Sequence, residues 1–131
     1  MPTHYETRPE RGFVQVWYHG TVTVDEIKAM FHQFRTSSAF DPALAHLVDL
    51  GDFTGTNAGF AEFFSLFSLY ARAYADTATG LRCAIYAPDE SSFALARIFE
   101  NLAETSDVVE ARLFDDIDKA KSWASAPLCP S

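Results

Sequence analysis

The chain has 131 residues, 48% of them hydrophobic and 21% charged, which is enough for one domain with a genuine core and too apolar for a disordered one. Its net charge of −8, with no Lys/Arg cluster, argues against nucleic acid and anionic membrane as partners, because both rely on cationic contacts. Twelve Phe, five Tyr and two Trp are a heavy aromatic load that folding has to bury.

The opening residues, Met-Pro-Thr-His-Tyr-Glu-Thr-Arg, contain no apolar h-region, so no signal peptide is expected. The longest uncharged apolar run, Phe63 to Ala71, is far too short to span a bilayer. Cys83 falls in a predicted strand and Cys129 lies near the end of the chain, a placement that suggests neither a disulfide framework nor a metal knuckle. A cytoplasmic protein is the expectation.

In chain order, His4 to Thr7 alternates as a short strand, and Arg8-Pro-Glu-Arg-Gly12 is a turn by its Pro and Gly. A second strand follows at Phe13 to Tyr18, which predicts a hairpin. Thr23-Val-Asp-Glu26 fits a capping box, and Ile27, Met30, Phe31 and Phe34 recur at helical spacing behind it. Asp41-Pro42 is a break, and Ala45 to Leu50 reads as the third strand. A glycine loop leads into a second helix from about Asn57 to Ala75. Leu81 to Ala87 is nearly continuous in apolar character, as in a central strand. Asp89 is placed to cap a third helix faced by Leu95, Ile98, Phe99 and Leu102. Val108 to Phe114 is the last strand, Asp115 and Asp116 cap a final helix through Trp123, and a short tail starts at about Ala126. Strands alternating with helices imply right-handed crossovers and a mostly parallel sheet, in a single domain over residues 1–131.

Three segments carry a resemblance: Leu47-Val-Asp49-Leu, then Ile85-Tyr-Ala-Pro-Asp-Glu-Ser-Ser-Phe93 with Ala96-Arg97-Ile98-Phe99-Glu100, then Arg112-Leu-Phe114 with Lys119-Ala120-Lys-Ser-Trp123. In these the chain resembles the SpoIIAA-like (STAS/Sec14-type) family of small bacterial proteins over nearly its full length. The resemblance implies an α/β fold with about five strands in sequential order, the first antiparallel, and four helices. The match is a pattern of structural positions and not a catalytic signature, so it is specific for fold and says little about chemistry. Some family members are proposed to close around small lipophilic molecules and to associate with membranes, although the acidic charge here gives no electrostatic help at a membrane.

Residues 51–59 look most like a site. Their Gly-x₃-Gly-x₃-Gly spacing fits neither a dinucleotide fingerprint nor a P-loop, no Lys follows, and Asp49 and Asp52 would repel phosphate. In anti-sigma-factor antagonists of the STAS type the equivalent loop carries a phosphorylatable Ser. Here Asn57-Ala58-Gly59 stands in its place, so Ala58 lacks the hydroxyl, leaving Thr54 and Thr56 as the nearby acceptors of a partner-switching alternative. Asp49 sits at a strand's carboxyl end, where α/β proteins place ligands, or it simply braces the loop.

The helix after the loop has a wide apolar arc. Phe60, Phe63, Phe64, Phe67, Ala71 and Tyr74 form a stripe for the sheet to bury, and Leu66, Leu69, Tyr70 and Ala73 form a flanking stripe. Such an arc is core, a homodimer face or the wall of a pocket for a lipophilic molecule. The candidate binding or interface residues are therefore Phe60, Phe63, Phe64, Phe67 and Tyr70, with Met30 and Phe34 contributing from the preceding helix. The four histidines share no metal-ligand spacing and read as surface or strand-end residues. With no nucleophile elbow, no Cys-His pair and no assignable carboxylate pair, the sequence predicts a non-catalytic domain without cofactor or metal.

Overall fold

The computed structural model describes residues 3–55, 59–77 and 80–125, with the backbone alone at Phe60. Strand β1 (Thr3–Arg8) and strand β2 (Phe13–Tyr18) form the expected hairpin, antiparallel, with Tyr5 opposite Val16. A single 3-10 turn, Pro9–Arg11, joins them, and Gly12 closes it at φ +83 by donating its N–H to the Arg8 carbonyl at 3.0 Å. Only glycine adopts that left-handed conformation readily.

After β2 comes a two-residue strand β3 (Gly20–Thr21), then helix α1 (Val24–Arg35). The capping box at its start is formed: the Thr23 hydroxyl accepts from Glu26 N at 3.2 Å, and Glu26 accepts from Thr23 N at 2.8 Å. Strand β4 (Ala45–Asp49), short strand β5 (Phe53–Gly55) and helix α2 (Phe60–Tyr74) follow. The chain continues through β6 (Leu81–Tyr86), α3 (Glu90–Ala103), β7 (Val109–Phe114) and α4 (Ile117–Ser125). As expected, Asp89 caps α3 through Ser92 N at 2.8 Å, and Asp116 caps α4 through Asp118 N at 2.8 Å.

The main sheet runs β1-β2-β4-β6-β7, with every pair after the first parallel. This monotonic order decides the layering. Each parallel crossover is right-handed and each steps the same way along the sheet, so α1, α2 and α3 all lie on one face. Helix α4, entered after the last strand, is left to cover the other.

The strands' alternation serves these two cores. Val14, Val16, Leu81, Cys83, Ile85 and Val109 point at the three-helix face, where they meet Phe31, Phe34, Leu66, Tyr70, Tyr74 and Phe99. Their neighbours Phe13, Ala45, Leu47 and Ala84 point the other way, onto Ala120 and Ala124 of α4. Arg82 lies on this second face, its guanidinium 4.1 Å from the centre of the Trp123 ring and donating to the Trp123 carbonyl at 3.0 Å.

The β3–β5 pair was not expected. Strands of two and three residues leave no periodicity to read. They are held by Gly20 N on the Asp52 carbonyl (2.8 Å) and Val22 N on the Gly55 carbonyl (3.0 Å). Gly55, the middle of the three loop glycines, stands at φ +152, which side-chain-bearing residues rarely adopt, so it is the loop position where this pairing calls for a glycine.

Candidate functional site

The C-terminal ends of the central strands and the three helices above them enclose a cavity of about 80 Å³. Its floor is Tyr18, His46, Val48, Cys83 and Ile85 of the sheet. Its roof is Phe63, Leu66 and Tyr70 of α2 with Leu95, Ala96 and Phe99 of α3. Val22, Leu50 and Phe53, held beside the β3–β5 pair, close the end. The carboxyl end of an open α/β sheet is where such folds bind ligands. The opening exists because α3 offers Ala96 where α2 offers large residues, so the two helices meet through rings at one side and leave space at the other. Phe99 makes edge-to-face contacts with Phe67 (5.7 Å) and Tyr70 (6.0 Å).

Of the candidate residues, Phe63 and Tyr70 line this cavity. Phe67 is buried beside it against Phe99. Phe64 points outward, 52% exposed. The side chain of Phe60 lies outside the described residues. Met30 and Phe34 are buried in α1, where Phe34 packs edge-on against Tyr5 (5.4 Å) and Phe40 (5.2 Å), away from the cavity. The arc of α2 therefore falls differently from the two stripes expected. The buried line is Phe63, Leu66, Phe67, Tyr70 and Tyr74, at i, i+3, i+4, i+7 and i+11, running between the two predicted stripes and leaving Phe64 off it. Lys28 of α1 donates to Ser65 of α2 at 2.7 Å, an exposed bond between the two helices.

In the glycine loop, Asp49 braces the chain: its Oδ1 accepts from Gly51 N at 2.8 Å. Thr54 is exposed, its hydroxyl 3.5 Å from that of Thr21. Glu62 accepts from Gly59 N at 3.0 Å and so closes the start of α2. Thr56, Asn57 and Ala58 lie outside the described residues.

The sequence reading missed the polar groups of the cavity floor. His46 is 3% exposed, which corrects the expectation that all four histidines sit at the surface or at strand ends. It occupies an inward position of β4, with Val48 two residues on and Cys83 opposite it in register on β6. Strand alternation was the available signal, since Tyr18, His46 and Cys83 each share parity with inward apolar neighbours. His46 Nε2 lies 3.1 Å from the Tyr74 hydroxyl, which donates to it in the Nδ1–H tautomer. Four rings pack edge-on to the imidazole: Phe31, Phe34, Tyr70 and Tyr74.

Burial governs the ionisation of this cluster. It lowers His46 from 6.5 to about 4, so the ring is neutral at physiological pH. It pushes the Cys83 thiol up to about 12 and raises all three phenols, Tyr18, Tyr70 and Tyr74, above their ordinary value. The floor thus presents neutral polar groups, and among the described residues no Lys, Arg, Asp or Glu lines the cavity. Among the described residues, no group of His, Cys, Asp and Glu could hold a metal ion, and no helix is long and apolar enough to cross a membrane.

No family model and no curated protein matches the chain. Among solved structures it is similar to an uncharacterized protein of the DUF3478 family with a SpoIIAA-like fold from Shewanella loihica. The two share 15% sequence identity with a TM-score of 0.60, over 93% of this chain and 91% of that one. A five-stranded, mostly parallel main sheet in sequential order, an antiparallel first strand and four helices define the class. This chain has a SpoIIAA-like α/β fold.

Proposed function

We propose that this chain is a non-catalytic, cytoplasmic binding domain that holds a small uncharged lipophilic molecule in the cavity between α2, α3 and the sheet. The observation that carries the reading is the cavity itself: about 80 Å³ of apolar space at the carboxyl end of the strands. Native interiors are close-packed, with few voids larger than a water molecule. A space of this size exceeds the roughly 30 Å³ that one water occupies and is smaller than the engineered apolar cavity of about 150 Å³ that takes benzene in another protein. It suits a molecule of about five or six heavy atoms, and anything larger requires α2 and α3 to part.

The chemistry of the floor supports binding over catalysis. A general base works best with its pKa near the operating pH, and a nucleophilic cysteine needs its thiolate. Here the imidazole stays neutral down to about pH 4 and the thiol stays protonated up to about pH 12.

The test is a ¹H–¹⁵N NMR titration with cyclopentane on the native protein and on Ala96→Leu, which puts three extra carbons into the space. Saturable shifts centred on Phe63, Leu66, Leu95 and Phe99, abolished in Ala96→Leu, are expected. Absence of saturable shifts, or shifts that persist in the filled variant, would defeat the reading.

A further inference from the structure

Strand β7 is the last of the main sheet, paired with β6 on one side and, among the described residues, with no strand on the other. Its register with β6 decides which backbone groups are spent. Leu81 N donates to the Val108 carbonyl at 2.8 Å and Ala87 N to the Phe114 carbonyl at 2.9 Å, with Leu81 opposite Val109 and Ile85 opposite Leu113. Bonds to one parallel neighbour fall on alternate residues, so Glu110 and Arg112 turn their N–H and C=O groups to β6. Val109, Ala111 and Leu113 therefore turn theirs outward along the free edge. The side chains alternate as well: those three face the three-helix core, while Glu110 and Arg112 lie on the α4 face. The Glu110 side chain is 64% exposed, with its carboxylate 3.7 Å from Arg82. Arg112 is exposed, its guanidinium 6.0 Å from the centre of the Trp123 ring, and among the described residues it makes no ion pair.

We infer that this edge binds a second copy of the chain, β7 against β7 in antiparallel alignment about a two-fold axis at Ala111, joining two five-stranded sheets into one. With the axis there, Val109 meets the partner's Leu113 and Ala111 meets the partner's Ala111, each pair exchanging its outward N–H and C=O groups. Glu110 then stands opposite the partner's Arg112, and Arg112 opposite the partner's Glu110. These are the non-hydrogen-bonded positions, where facing side chains come closest and opposite charges attract. An axis at Glu110 sets two carboxylates face to face, and an axis at Arg112 sets two guanidiniums face to face, both repulsive. Asp107 and Asp115, which the same count would oppose, lie in bends beyond the strand's ends. Proteins block a free edge with charges that keep other strands away. Here the two charges are of opposite sign and spaced so that they attract a copy. The other edge, β1, differs, because its Glu6 and Arg8 already pair with each other at 2.8 Å. No residue of β7 lines the cavity, so the inference stands apart from the binding reading above.

The experiment is sedimentation equilibrium of the native protein, Glu110→Arg, Arg112→Glu, an equimolar mixture of those two, and Ala111→Pro. Salt at about 0.15 M screens the net charge of −8 beyond about 8 Å and leaves adjacent pairs in force. The series runs up to about 1 mM chain, where a dissociation constant of that size still places half of the chains in dimers. A native dimer is expected. Either reversal sets like charges opposite each other in both pairs and weakens the dimer by about tenfold or more. Mixing the two reversal variants brings unlike charges together again, so a heterodimer of near-native affinity forms. Ala111→Pro removes an N–H that β6 does not use, in an edge strand that tolerates proline, and gives a monomer. A native protein that stays monomeric, a dimer unmoved by either reversal or by Ala111→Pro, or reversal variants that do not associate on mixing, overturns the inference. Should a reversal variant not fold, amide hydrogen exchange of the native protein decides. Slower exchange at Ala111 and Leu113 in concentrated than in dilute solution is expected, and equal rates overturn the inference.

Discussion

Replacing His46 by Gln removes the imidazole while keeping an amide that can meet the Tyr74 hydroxyl, and it isolates one pH-dependent contribution to stability. In the folded chain the ring is lowered to about 4 by burial, against 6.5 for an exposed histidine. Between those two values the unfolded chain binds a proton that the folded chain does not. Above pH 6.5 both states are neutral and the histidine imposes no penalty. As pH falls from 6.5 towards 4, stability drops by about 1.4 kcal/mol per pH unit, and below 4 the loss is complete. Between pH 8 and pH 4.5 the loss amounts to about 2.5 kcal/mol, a sizeable share of the stability of a domain this size. Carboxylates titrate over part of the same range, but they do so equally in both proteins. The assay is urea denaturation of native protein and His46→Gln at pH 8, 6.5, 5.5 and 4.5, read as the difference in unfolding free energy. The native protein is expected to lose about 2.5 kcal/mol more than the variant over that span, whatever their offset at pH 8. Parallel pH profiles would refute the argument, because they would mean that water reaches the ring in the folded state.

Four further outcomes follow from the packing. Phe99→Ala removes the ring on which Phe67 and Tyr70 rest and is expected to cost about 3–5 kcal/mol in denaturant unfolding, with a loss under 1 kcal/mol contradicting its place in the core. Thr23→Ala breaks one half of the capping box of α1 and should cost about 1 kcal/mol by the same measurement. Gly80→Ala drives a methyl into the Val108 carbonyl at a position held at φ +66, so it should destabilise by more than about 1 kcal/mol, whereas a neutral result would contradict the close approach of Gly80 to Val108. In a Cys129→Ser background, Cys83 should resist a thiol reagent at pH 8 until urea unfolds the chain, and fast native labelling would show that the thiol is not sealed in the sheet.

Long periodic segments made the architecture legible. The Phe13–Tyr18 and Val109–Phe114 strands, the capped α1 and the continuous apolar run at Leu81 each carry enough residues for the period to show. Their chain order then sets the sheet order once crossover handedness is applied. The β3–β5 pair was not legible, because its two and three residues are held by backbone bonds that no side-chain pattern records. The candidate site was half visible. An excess of aromatic surface on α2 drew attention to a helix that lines the cavity, but the rotation of that helix depends on contacts with α1 and α3. Phe64 therefore lies outward at 52% exposure, while Leu66 and Tyr70 turn inward. His46 was misread for a related reason. A histidine within Ala-His-Leu-Val looks polar in composition, yet its parity with Val48 aims it at the core, and the hydroxyl that accommodates it comes from Tyr74, twenty-eight residues away.

The central claim is that apolar space between α2 and α3 is open to an apolar guest. Xenon pressurisation of crystals, followed by diffraction, tests it most directly. A xenon atom in contact with Leu66, Ile85 and Phe99 is the predicted result, and the same crystals of Ala96→Leu should lack it. A well-ordered hydrogen-bonded water cluster in that position, or closed packing with no xenon, would contradict the account.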